Sequence, residues 1–113
     1  MKFVIEKNIR ILDELVSYYN KLGNKDIHID MREEENKHHL FVSGEVENMS
    51  EEELLNLKVL LTTPRQREIE EYYWQLGGEV SFDCELTLVG MMIDEAKISY
   101  KNNILSIEVI RED

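Results

Sequence analysis

Cysteine, proline and glycine are all scarce in this chain, with one, one and five copies in 113 residues. The lone Cys84 excludes an internal disulfide, and its apolar surroundings fit a buried thiol acting as a small hydrophobe. So little proline and glycine leaves no flexible linker and no low-complexity tract. Basic residues are also in deficit: 13 Lys and Arg stand against 24 Asp and Glu, a net charge of −11. Phosphate backbones are bound by basic patches that displace counterions, so this balance opposes nucleic acid and favours a basic protein as partner. No apolar run approaches the ~20 residues of a membrane span. The opening Met1-Lys-Phe-Val-Ile-Glu6 lacks the apolar run and small-residue cleavage site of a secretion signal, so the expected location is cytoplasmic. The length suits one compact domain, 1–113.

What the chain does have is clear periodicity. The densest apolar stretch is Glu85-Leu-Thr-Leu-Val-Gly-Met-Met-Ile-Asp94. Phe82, Leu86, Val89 and Ile93 recur at helical spacing, and Leu88, Met91 and Met92 widen the apolar face almost to a full circle. A helix over 83–94 at the centre of the core follows, capped by Ser81 or Asp83. An earlier helix, 8–22, puts Ile9, Leu12, Leu15, Val16, Tyr19 and Leu22 on one face, with Asp13 and Glu14 off it, and ends at Gly23. Phe3-Val4-Ile5 reads equally as a short strand or as that helix's first turn. Residues 26–32 and 38–46 alternate as a hairpin around the charged turn Glu33 to Lys37. Ser50-Glu-Glu-Glu53 is a capping box opening a helix to 61 that buries Leu54, Leu57, Leu60 and Leu61. Thr63-Pro-Arg-Gln66 repeats the pattern for a helix over 64–76, with Ile69, Tyr72, Tyr73 and Leu76 inward and Gly77-Gly78 as its stop. A second hairpin, 96–100 and 104–110, turns at Asn102-Asn103.

These elements predict an α+β two-layer sandwich: a mostly antiparallel four-stranded sheet from two hairpins, covered on one face by helices. The inner face is expected to hold Ile27, Ile29, Met31, Leu40, Val42, Ile98, Tyr100, Ile107 and Val109. The outer face should carry His28, Asp30, Phe41, Ser43, Lys97, Ser99, Ile104 and Ile110.

The order of elements resembles the histidine-kinase-type (Bergerat) ATPase fold, including anti-sigma-factor kinases. Leu12-Asp-Glu-Leu-Val-Ser-Tyr-Tyr-Asn20 is similar to that family's first conserved helix, with Glu14 at its glutamate. Ile27 to Met31 and Leu40 to Leu54 resemble its hairpin, adenine-contacting loop and lid entry. Glu85 to Asp94 stands where a glycine-rich turn opens the helix before the last hairpin. The nucleotide residues do not follow. Tyr18 occupies the position of the magnesium-binding asparagine, Gly44-Glu-Val-Glu-Asn48 replaces Asp-x-Gly-x-Gly, and Glu85-Leu-Thr-Leu88 replaces Gly-x-Gly-Leu. Side chains at those positions keep phosphates from the backbone amides. Glu79, Asp83 and Glu85 add repulsion of ~4 kcal/mol per pair at 4 Å in an effective dielectric near 20. The resemblance therefore implies a fold whose nucleotide site is erased, with no cofactor.

Two other constellations bear on function. Acidic and aromatic residues crowd Glu68 to Trp74, and aromatics are favoured interface anchors. Phe41, Ile104 and Ile110 are apolar on an otherwise polar open sheet face. Phe41, Trp74, Ile104, Ile110 and His28 are thus the candidate partner contacts, and a homodimer through the open face or an edge strand is the self-association version. The rival reading is a small enzyme or metal-dependent module using His28, Asp30 and His39, which requires those side chains to converge. Arg65 and Arg67 read as helix-surface charges paired with glutamates. His38-His39 with Glu33 to Glu35 fits no zinc spacing, since neighbouring strand residues face opposite ways.

Overall fold

A computed structural model describes residues 3–24, 26–75 and 86–112, excluding the side chains of 73–75. The element order is α1 (Val4–Lys21), β1 (Ile27–Glu34), β2 (Lys37–Glu45), α2 (Glu51–Leu61), α3 (Arg67–Gln75), α4 (Leu86–Met91), β3 (Glu95–Lys101) and β4 (Ile104–Glu112). The sheet is antiparallel throughout, in the order β1-β2-β4-β3. This is the expected α+β sandwich. Helix α1 packs over β2, α2 over β3, and α4 lies against both helices.

Local chemistry explains the turns. Asn102 and Asn103 both take positive φ, as a two-residue hairpin loop matched to strand twist requires. The first hairpin continues in register to Glu34 opposite Lys37, so its turn is only Glu35-Asn36, tighter than the charged turn expected from Glu33 to Lys37. Ser50 accepts from the Glu53 amide at 3.0 Å and the Glu53 carboxylate reaches back to Ser50, completing the predicted capping box.

The core forms where the two middle strands meet the helices. Leu40, Val42, Leu105, Ile107 and Val109 lie under Ile11, Leu15 and Tyr19 of α1, Leu57 and Leu61 of α2, and Leu86, Leu88, Val89, Met92 and Ile93 around α4. The stretch near residue 90 is therefore central, as its composition demands. Its helix is shorter than predicted: it ends at Met91, and Asp94 already donates its amide to the Ile110 carbonyl of β4 at 2.8 Å. Gly90 sets how closely α2 and α4 approach, because a Cβ there would overlap the Leu60 carbonyl oxygen.

Three expected faces are corrected. Phe3 to Ile5 belong to the start of α1, and that helix is rolled from its predicted face: Lys7, Asn8, Ile11, Glu14, Leu15 and Tyr19 are buried, while Ile9 is 55% exposed. A broad apolar surface permits more than one roll, and buried ion pairs at Lys7 and Glu14 choose between them. Helix α3 starts at Arg67, three residues late, because Thr63 bonds back to the Val59 carbonyl of α2 instead of capping forward. Ile69 and Tyr72, predicted inward, are exposed, and Glu70 is buried. Finally, Ile29 and Met31 point to the inner side but stand 51% and 43% exposed. The predicted stop at Gly77-Gly78, the inward Leu76, the cap at Ser81 or Asp83, and Phe82, Cys84, Glu79 and Glu85 fall outside the described residues, as does the side chain of Tyr73.

Candidate functional site

Two constellations stand out from ordinary packing. The first is a charged cluster where α1, α3 and β4 meet. Glu70 of α3 lies 3.0 Å from Lys7 Nζ, 3.1 Å from Arg65 Nη2 and 3.3 Å from Arg111 Nη2, with all four side chains nearly or wholly out of water. Arg65 also holds Asp94 at 2.8 Å, and Arg111 donates to the Met92 carbonyl at 2.9 Å. Arg67, more exposed, reaches Asp94 at 3.7 Å and the Glu112 carbonyl at 3.1 Å. Charges removed from water persist only when paired and hydrogen-bonded, and each of these is. The cluster contains no nucleophile, and its groups are spent on one another. It braces α3, whose apolar residues Ile69 and Tyr72 face solvent. Arg65 pairs with a glutamate and Arg67 lies exposed on α3 as expected, but the Arg65 side chain is buried, and both also reach Asp94 in the turn before β3 and the end of β4.

The second constellation is apolar and open. The inner-side residues Ile29 and Met31 of β1 sit opposite Val42 and Leu40, which are fully buried on the same face. The difference is coverage: among the described residues no helix lies over β1. Ile5 and Ile9 of α1 are exposed as well, at 54% and 55%.

The predicted contact residues are scattered. Phe41 is half-buried on the outer sheet face, between Asp30 and Glu108, beside a shallow cavity of about 230 Å³ that it shares with Lys97, Ser99 and Ser106. Ile104 is 42% exposed at the start of β4, but Ile110 is only 7% exposed and so offers no contact surface. His28 is solvent-exposed with Asp26 at 3.9 Å. The Trp74 side chain falls outside the described residues.

His28, Asp30 and His39 are not brought together. His39 pairs in register with Arg32, and its ring faces Glu108 at 3.3 Å. His28 stands opposite Ser43, four residues along β1 from Arg32, or about 13 Å at 3.3 Å per residue. Among the described residues no group of three or more His, Cys, Asp or Glu could hold a metal. No helix in the described residues is long and apolar enough to cross a membrane.

Two further acidic features lie at the sheet end of α1 and along its buried face. Glu14 is buried and paired with Arg10 at 3.1 Å. Glu45 and Glu47 line a cavity of about 360 Å³ together with Leu22, Gly23 and Asp26, a strongly acidic wall.

Sequence reasoning missed both constellations. Ile9, Ile29 and Met31 read as core, Glu70 as part of an acidic and aromatic surface stretch, and Lys7 and Arg111 gave no signal. One signal pointed to an edge strand: Asp30, Arg32, Glu33 and Glu34 load β1 with charge, as exposed sheet edges commonly are. No protein-family model and no curated protein matches this sequence.

Proposed function

We propose that the chain is a non-enzymatic, cytoplasmic protein-binding domain, a degenerate relative of the histidine-kinase-type ATPases that no longer takes nucleotide. The observation that carries partner binding is the exposure of Ile29 and Met31 on the side of the sheet where Leu40 and Val42 of the neighbouring β2 are fully buried. An apolar surface left open at the end of an otherwise sealed core is stabilised by a partner that removes it from water. Loss of nucleotide binding is supported by Glu14 being tied to Arg10 and by Tyr18 in place of a metal-binding asparagine. The carboxylates of Asp26, Glu45 and Glu47 around the neighbouring cavity oppose a triphosphate.

Two measurements test this. Calorimetric titration with magnesium ATP should give no binding heat at micromolar concentration, and a saturable isotherm sinks the erased-site argument. Affinity capture from the native host, compared between wild type and Ile29→Asp, should lose a protein that wild type retains. Equal capture by both removes the Ile29 face from the proposal, and Phe41→Asp serves as the matched variant on the opposite sheet face.

A further inference from the structure

We infer that the uncovered lane between α1 and β1 is a docking groove for one amphipathic helix of a partner protein, apolar along one stripe and rich in lysine or arginine along its edges. The inference rests on the partner-binding reading above and gives that partner its chemistry.

The groove has a floor and a wall from different elements. Across the sheet order β1-β2-β4-β3, α1 sits over β2 and α2 over β3, so the described helix layer stops one strand short. Ile29 and Met31 are the floor of the lane that no described helix covers. The wall follows from how α1 is rolled. Lys7 bonds Glu70 and Glu71 of α3, which turns that flank of α1 toward α3. At 100° per residue the opposite flank, on the β1 side, carries Ile5, Ile9, Leu12 and Val16. Ile5 and Ile9 are exposed, while Leu12 and Val16 are half-buried. Leu55 and Val59 of α2 are exposed to a similar degree, but among the described residues they form a stripe on a single helix.

Size and charge select the occupant. Ile5 to Val16 spans about 16 Å at 1.5 Å per residue, three helical turns, enough for anchors at i, i+3 or i+4, i+7 and i+11. A fifth strand added to β1 would extend the sheet yet leave Ile5 and Ile9 in water. A helix laid beside α1 covers both wall and floor. The rim is acidic: Glu6 and Asp13 border Ile9 on the exposed side of α1, and Glu33 follows Met31 on the same side of β1, all of them exposed. Arg10 approaches Asp13 only at 3.8 Å. With a net charge of −11 a second copy of this chain is repelled, whereas a helix with basic edges is attracted and steered.

The test uses the intact chain and three synthetic peptides of about 18 residues. The first is helical with a leucine stripe and lysine edges, the second keeps the stripe with glutamate edges, and the third is an extended, lysine-flanked strand. Amide chemical shifts are followed by NMR. The lysine-edged helix should bind saturably, shift amides in 5–16 and 27–33, and weaken as salt rises. The double variant Ile9→Ser, Ile29→Thr, at exposed positions compatible with folding, should bind roughly tenfold more weakly. Val59→Ser should bind as wild type. Equal binding by the glutamate-edged helix, shifts centred on Phe41 or Leu55, preference for the extended peptide, or no binding by any peptide overturns the inference. So does sedimentation showing a dimer that the double variant abolishes. If the peptides fail while capture from the host still depends on Ile29, partner binding stands and only the helical, basic partner is lost.

Discussion

Glu70 and Arg111 are 41 residues apart in the chain and meet at 3.3 Å with both side chains sealed from solvent. Glu70 is also the shared anion for Lys7 and Arg65, so one carboxylate ties α1, the start of α3 and β4 together. Removing it takes one anionic partner from three buried cations at once, although Lys7 keeps Glu71, Arg65 keeps Asp94 and Arg111 keeps the Met92 carbonyl. Glu70→Ala is expected to cost about 3–5 kcal/mol in urea unfolding, the penalty typical of breaking a buried ion pair by removing one partner. Combined with Arg111→Ala, the loss should be smaller than the sum of the two single losses, and strict additivity would show that the pair does not interact.

Gly90 gives a sign test. In an exposed helix interior, Gly→Ala stabilises by up to ~1 kcal/mol. Here a Cβ would collide with the Leu60 backbone oxygen, which is not the end of a flexible side chain and cannot step aside. Gly90→Ala should therefore destabilise, by about 1–3 kcal/mol as overpacking does. A rise in urea midpoint would mean that α2 and α4 are farther apart than described.

Tyr19 joins α1 to the two middle strands: its hydroxyl lies 2.7 Å from the Leu105 carbonyl and 3.1 Å from that of Val42. Burial, with a smaller contribution from Tyr18, raises its pKa well above the ordinary 10.0. In the unfolded chain the phenol loses its proton near 10, while in the fold it keeps it. The associated stability is present below pH 10 and is lost as pH climbs from there toward the raised folded value. Urea melts at pH 9 and pH 11 should show wild type weakening. Tyr19→Phe should cost about 1 kcal/mol at pH 9 and weaken less between the two pH values.

Ile29 and Ile107 lie on the same side of the sheet but differ in coverage. Ile107→Ala, in the sealed centre, should cost about 2–5 kcal/mol. Ile29→Ala should cost under about 1 kcal/mol, because little surface there has left water. Similar losses at the two sites would place a cover over β1.

Ser50→Ala should cost about 1 kcal/mol, since it removes the acceptor for the Glu53 amide at the start of α2. Ser50→Asp should restore most of it, and circular dichroism melts distinguish the two.

Much of the fold was legible in the sequence. The capping box at Ser50, the Asn102-Asn103 turn and the alternation of Leu40, Val42, Ile107 and Val109 are local signals, each set by backbone chemistry within a few residues. The faces of α1 and α3 were not legible. Hydrophobic spacing favoured Ile9 and Ile69 as inward residues, but Lys7 and Glu70 took those places because they pair with charges far along the chain. The candidate groove was hidden for a related reason. Alternation correctly put Ile29 and Met31 on the inner side of the sheet, yet nothing near them in sequence says whether a helix lies above.

By itself the sequence determined which segments coil, which extend, where they turn, and that the surface is strongly acidic. Hydrogen-bonding and rotamer preferences act over a few residues, and charge is a sum over the chain. Tertiary structure decided that α1 rolls toward α3 and that, among the described residues, the helix layer ends before it reaches Ile29 on the edge strand β1. Those outcomes depend on which distant surfaces meet, and burial belongs to the assembled layers and not to any one stretch.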